Sequence, residues 1–395
     1  MVNNNVTKST LAVSGLILLG STVLSSNVFA TNGFFAHGYG NKHKSLAGAG
    51  AAISLSSLSA ATNPALLQAA GSRLDMGVEY FKPLRTATTR HDNATYSGDG
   101  KASFIIPEFG YSSKINEQWS WGIMMYGNGG MNTEYPSIAV YSGNPNGPKT
   151  GVNLEQVFIA PTAAYKISPR HTIGLSANFI YQTFEATGIA GFAPLTPSGT
   201  ADNLSDVGKD DSTGYSFKLG WLTEVSDHLS FGLAYQTKSE MSKFTKYSEL
   251  FAEQGNFDIP SNWVVGIKYE LSPKMDLLLD MQKINYSDSK AISNPNNSAQ
   301  GGKLGNDNGP GFGWEDSTVY KLGFNYRTSS TTTLRLGYSK GNQIIGADDT
   351  SFNLIAPAVT TKHATFGVTW KLFTKSELSL FYMRALENQV IGNSN

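Results

Sequence analysis

Cysteine is absent from all 395 residues, which excludes disulfides, thiolate nucleophiles and cysteine-based metal sites. Charge is scarce: Asp, Glu, Lys and Arg make up 15% of the chain, against roughly a quarter in ordinary soluble proteins. Neither sign dominates, since 30 basic residues face 30 acidic ones. A nucleic-acid partner requires concentrated Lys and Arg, so that class is excluded. Long apolar runs are missing as well. Beyond residue 30 no segment approaches the roughly 20 apolar residues of a helical membrane span. Metal-ligand spacing is also lacking. His37 and His43 have no Asp or Glu partner at the right interval, and His91, His171, His228 and His363 are scattered. Solvated or wall-bonded imidazoles are expected, with no metal and no cofactor. Nothing resembles a Ser-His-Asp elbow, and Gly38, Gly40, Gly48 and Gly50 do not join a strand to a helix as a phosphate loop would. No catalytic residue is expected, and the chain does not read as an enzyme.

Residues 1–30 read as a secretory signal. They hold one charge, Lys8, then an apolar stretch from Leu11 to Leu24, and close on Val28-Phe29-Ala30. Set aside from the fold, they leave a chain starting near Thr31.

From residue 73 onward, period-two alternation dominates. Tyr320, Leu322, Phe324 and Tyr326 alternate with Lys321, Gly323, Asn325 and Arg327. Leu334, Leu336 and Tyr338 oppose Arg335, Gly337 and Ser339, and Phe366, Val368 and Trp370 oppose Gly367, Thr369 and Lys371. Period two means strand, with two faces in different surroundings. A soluble sandwich also alternates, but its water-facing side would then carry mostly Gly, Ser and Thr with few charges. Lipid outside and a polar lumen inside explain both faces. Strands are expected near 73–86, 102–115, 118–127, 154–167, 171–186, 212–225, 229–240, 259–271, 275–286, 314–327, 332–342, 361–372 and 376–386. Their connections alternate between short turns, such as Ser226-Asp227, and long polar loops near 87–101, 128–153, 187–211, 241–258, 287–313 and 343–360. That is the pattern of an all-β, antiparallel transmembrane β-barrel in the outer membrane of a Gram-negative cell. Thirteen strands conflict with the even number of single-chain bacterial barrels, so the expectation is a missing last strand, two merged strands, or closure by a loop segment.

Residues 31–72 have another texture. Ala, Ser and Gly recur without alternation, so short helices and turns are expected, forming a plug inside the barrel that spans 73–395. Here Ala60-Ala61-Thr62-Asn63-Pro64-Ala65 resembles the plug signature of the outer-membrane long-chain fatty-acid and aromatic-hydrocarbon transporter family (FadL/TodX-like, OMPP1). Phe34-Phe35, the run Gly38 to Ala51, Met125 to Tyr135, Pro260 to Gly266 and Gly313 to Ser317 are similar to that family too. The family has fourteen strands and ends on an aromatic residue, whereas this chain ends on Asn395.

The resemblance implies passive transport of a hydrophobic small molecule by loop capture, plug rearrangement and lateral release. Capture falls to the third and fourth loops, at Ile189, Phe192 and Leu195 and at Phe244, Tyr247, Leu250 and Phe251, the last four at helical spacing on one exposed stripe. The inner pocket falls to Phe34 and Phe35, with Asn63, Pro64 and Ala65 holding the plug. The exit falls to Gly127-Asn128-Gly129-Gly130, where an inward kink opens the wall; plain turn chemistry is the competing reading of those glycines. Lys218, Lys268, Lys321, Arg327, Arg335 and Lys371 are expected to face the lumen, which suits a carboxylate or plain water and does not separate fatty acids from alkanes or aromatics. Expected partners are the ligand, outer-membrane lipid and lipopolysaccharide, with a monomeric barrel. The alternatives are a general diffusion porin, which would conduct small solutes with its plug in place, or a surface adhesin, which would bind cells without an uptake defect.

Overall fold

The structure is a computed structural model and describes residues 32–296 and 302–393; the signal assigned to 1–30 lies outside them. In chain order the strands are β1 (Arg73–Phe81), β2 (Thr86–Thr88), β3 (Thr95–Ser97), β4 (Phe104–Lys114), β5 (Trp119–Asn132), β6 (Gly151–Ser168), β7 (His171–Thr187), β8 (Asp210–Glu224), β9 (Leu229–Gln236), β10 (Glu240–Met241), β11 (Asn262–Ser272), β12 (Met275–Ile284), β13 (Ser317–Arg327), β14 (Thr332–Gly341), β15 (Lys362–Phe373) and β16 (Ser376–Ala385). All but β2 and β3 belong to one 14-stranded antiparallel sheet in sequence order, with β10 on the edge of β8. Among the described residues no ladder joins β16 to β1. There Arg73 Nη2 of β1 lies 2.5 Å from Glu377 Oε1 of β16, and Lys42 reaches the same carboxylate.

The two faces of the sheet settle the alternation. Leu322, Leu336 and Phe366 are 43%, 54% and 45% exposed, while Lys321, Asn325, Arg335 and Thr365 between and opposite them are buried. A water-soluble sheet would invert this partition. Acyl chains outside and an enclosed polar interior produce it. Trp119, Trp121, Trp370 and Phe373 ring the end with short turns, and Phe179, Tyr181, Tyr215 and Tyr320 ring the other, as interfacial aromatics do.

Several expectations are corrected in detail. β5 does not end at Gly127 but runs on through Gly130 to Asn132, so those glycines lie in a strand. β9 ends at Gln236, and the chain rejoins β8 as β10 after a short break. The loop 87–101 holds most of a small hairpin, β2 with β3. Of the six lumen cations only Lys218, Lys321 and Arg335 are buried. Lys268 and Arg327 are partly exposed, and Lys371 stands exposed at the rim, next to the turn into β16, where the lumen meets water.

Residues 32–71 fill the interior with three one-turn helices, Asn41–Lys44, Ser59–Thr62 and Leu67–Ala70, and a 3-10 turn, Pro64–Leu66. Irregular backbone at membrane depth must find partners, and here the wall supplies them. Asp280 accepts the amides of Gly50 and Ala51 at 2.8 and 2.9 Å. The Lys321 ammonium donates to His37 O at 2.8 Å, and Thr365 Oγ1 both donates to Ser45 O and accepts the Ala47 amide.

Candidate functional site

Asn63, Pro64 and Ala65 are fully buried. Asn63 Oδ1 caps the 3-10 turn by accepting the Ala65 amide at 3.1 Å. Its Nδ2 donates to Ala51 O at 2.8 Å inside the plug and to Trp221 O at 3.0 Å on β8. Pro64 begins the turn, where its fixed φ and missing N–H cost nothing. Two wall glycines let this corner approach. A Cβ on Gly220 would stand 2.1 Å from Asn63 Oδ1, and one on Gly174 would stand 2.3 Å from the Pro64 carbonyl carbon.

Phe34 and Phe35 are buried at 0% and 1% exposure in a large apolar cluster. Phe34 packs on Phe35 at 5.2 Å, Tyr286 at 5.5 Å, and Phe257 and Trp314 at 6.0 Å each, separations at which aromatic pairs attract. From Phe257 the contacts run outward through Phe251 to Phe184, Phe244 and Tyr247. The polar tips are engaged: Tyr286 donates to Asn32 O at 2.5 Å, and Trp314 Nε1 to Asn353 Oδ1 at 2.5 Å.

The fourth-loop stripe is present but not exposed, which corrects the capture-groove picture. Phe244, Tyr247, Leu250 and Phe251 are all buried, and only Thr245–Tyr247 forms a 3-10 turn. Burial against Phe184 and Phe257 removes more apolar surface from water than an open stripe would leave. Tyr247 is pinned by donating to Gly208 O and accepting the Ala186 amide. In the third loop Ile189 is buried and Phe192 packs on the cluster, whereas Leu195 is 39% exposed and outside it.

At β5 the wall changes partners. The β4–β5 ladder ends at Phe109↔Met125, and the β5–β6 register shifts between Gly127 and Gly129. Past that bulge, β5 turns to the plug: Ala36 N donates to Asn128 O at 2.6 Å, Gly130 N to Phe34 O at 3.1 Å, and Phe35 bridges Gly129. Asn128, buried, accepts from Tyr39 OH at 2.8 Å. Glycine is required at 129, where φ is +145° and a Cβ would fall 1.5 Å from Phe34 O. The competing reading, simple turn glycines, is therefore excluded for this run.

Beside that seam lies a charge cluster with no signal in sequence spacing. Lys44 Nζ sits 2.6 Å from Glu79 of β1 and 2.9 Å from Glu108 of β4, all three buried. Both carboxylates hold the ammonium charged, against burial, and raise its pKa. His43, buried and 3.3 Å from Ile53 O, has its pKa pushed down by burial to about 4, so it is neutral at pH 7. His37 stacks edge-on against His363 of β15, ring centres 3.7 Å apart, and burial lowers its pKa too.

A lipid-facing barrel, an interior plug bonded to the wall, and an aromatic core reaching the outer loops define a plugged outer-membrane β-barrel. The chain belongs to the outer membrane protein transport protein family (OMPP1/FadL/TodX), whose profile matches residues 17–394. Its sequence is 25% identical over 179 residues to the long-chain fatty acid transport protein of Shigella flexneri, and 24% to that of Escherichia coli O157:H7; each match spans 39% of this chain and 39% of the relative. The P. putida toluene transporter TodX shares the fold with a TM-score of 0.66 at 18% identity, over 87% of this chain and 91% of that one. The Ralstonia pickettii toluene transporter TbuX gives 0.64 at 18%, over 89% and 94%. A Pseudomonas aeruginosa FadL homologue gives 0.62 at 14%, over 89% and 90%.

Proposed function

We propose that this barrel carries hydrophobic small molecules passively across the outer membrane, with capture at the outer loops, binding against Phe34 and Phe35, and sideways release between β4 and β5. The observation that carries this reading is the unbroken aromatic core, which starts in the third and fourth loops and ends at Phe34, whose carbonyl accepts the Gly130 amide of β5. A polar lumen has no structural need for so large an apolar interior. Each methylene buried there gains about 0.8 kcal/mol, enough for tight binding without a charged handle.

The release step is supported by β5 leaving β4 and taking the plug as its partner. Displacement of residues 34–36 frees that strand and opens a path to lipid. Names of the relatives point to long-chain fatty acids on one side and toluene on the other, and both classes satisfy an aromatic-lined pocket. Growth of a deletion strain on oleate, toluene and hexadecane tests the proposal. A defect on at least one that plasmid-borne protein restores is expected; normal growth on all three with unchanged initial uptake overturns it. The porin alternative requires conductance of small polar solutes with the plug seated.

A further inference from the structure

Residues 342–361, between β14 and β15, cross the outer mouth and form the roof of the aromatic cluster. Phe352, Leu354, Ile355 and Ala356 point into it and are buried. The loop is held by carbonyls near its centre: Tyr141 OH donates to Ser351 O at 2.6 Å, Tyr135 OH to Leu354 O at 2.9 Å, and Thr133 Oγ1 to Ile355 O at 2.6 Å. Those three donors stand on one short segment directly after β5, the strand that binds the plug.

Asn353 is the junction. Its Nδ2 donates to Phe312 O at 2.6 Å and to Asp349 O at 2.8 Å, and its Oδ1 accepts the indole N–H of Trp314 at 2.5 Å. One buried side chain thus joins the loop to itself, to the 302–313 segment, and to a ring packed on Phe34. Beside it Phe352 stacks on Phe192 of the third loop, centres 5.2 Å apart and planes 18° from parallel. Beneath the roof a cavity lined by Asn32, Gly33, Ser317, Ile344 and Ala358 holds about 10 Å³, room for one water. Ring contacts run from Phe352 through Phe312 and Trp314 to Phe34, so this roof lies over the Phe34 rings.

We infer that the 342–361 loop is the outer lid of the Phe34 pocket and that Asn353 is the positioning residue that holds it shut, an inference that rests on the hydrophobic-uptake reading. Ligand wedges between Phe192 and Phe352, the loop swings away from Trp314, and Asn353 re-forms its bonds once the pocket is filled. Carbonyl acceptors and one amide suit that task, because each bond re-forms without moving charge.

The chain has no cysteine, so engineered thiols react alone. Phe192→Cys with Phe352→Cys, bridged by a short bifunctional methanethiosulfonate, is compared before and after reduction in the same cells. Uptake of radiolabelled toluene and oleate is expected to fall at least tenfold when bridged and to recover on reduction. Equal uptake in both states overturns the lid, while wild-type uptake remains as the separate check on transport itself. Should that pair fold poorly, a single substitution gives a second readout. Asn353→Ala is expected to raise the initial rate about threefold, whereas a purely structural Asn353 would lower it. Trp314→Phe removes one of the three Asn353 bonds, so its effect and that of Asn353→Ala should overlap, the double variant changing the rate by less than the two single effects combined. Independent effects of the two substitutions overturn the role given to Asn353.

Discussion

Phe35 and Gly129 face each other across an antiparallel bridge that joins the plug to the barrel wall at the point where β5 abandons β4. Two chain segments far apart in sequence thus share one local geometry. Moving either the wall seam or the plug start breaks the bonds that join them.

Gly129→Ala places a methyl 1.5 Å from Phe34 O at a backbone conformation that L-residues avoid. The expected outcome is a barrel that still folds, seen as normal heat-modifiable mobility on gels, with at least a tenfold loss of hydrophobic uptake. Unimpaired uptake would show that the bridge is incidental.

Lys44 bridges two buried carboxylates from adjacent strands of the sheet. Lys44→Met leaves Glu79 and Glu108 uncompensated, an effect of about 3–5 kcal/mol when one member of a buried ion pair is lost. Plug protection against hydrogen exchange should drop sharply. Adding Glu79→Gln and Glu108→Gln should restore most of it, and failure of that rescue would point to lost packing instead.

His43 gives the plug a pH dependence. Burial lowers its folded pKa to about 4 from 6.5, and the bond to Ile53 O only partly offsets this. The unfolded or released plug therefore takes up the proton first. Docking is at full strength above pH 6.5 and weakens as pH falls towards 4, by up to roughly 3 kcal/mol. His37, also depressed by burial, acts in the same direction. Exchange protection of residues 41–53 at pH 7 and pH 4.5 reads this directly, and His43→Gln should flatten the slope.

Much of this was legible because it is local. Tyr320 to Arg327 alternate in the sequence and alternate between lipid and lumen in the fold. At Asn63-Pro64-Ala65 the sequence offered a φ-fixing Pro and an Asn able to satisfy nearby backbone groups, and in the fold Asn63 accepts the Ala65 amide. The run Gly127 to Gly130 was ambiguous for the opposite reason. Glycines fit a turn equally well, and only Phe34–Ala36, from far away, make them a bulged strand. Phe244 to Phe251 carried a helical apolar spacing, but the segment forms only a 3-10 turn at Thr245–Tyr247, and its burial depends on Phe184 and Phe257, which no period reveals. Asn353 left no trace, being one Asn in a polar loop whose partners are brought to it by other segments.

The most direct measurement is uptake of labelled hydrophobic substrate by cells carrying Phe34→Ala with Phe35→Ala, beside wild type at equal surface expression. With the pocket built on those rings, initial uptake should fall at least tenfold while the barrel remains folded and its plug stays protected. Uptake at the wild-type rate, with both rings gone, would mean that the aromatic core is packing only and that ligand travels by another route.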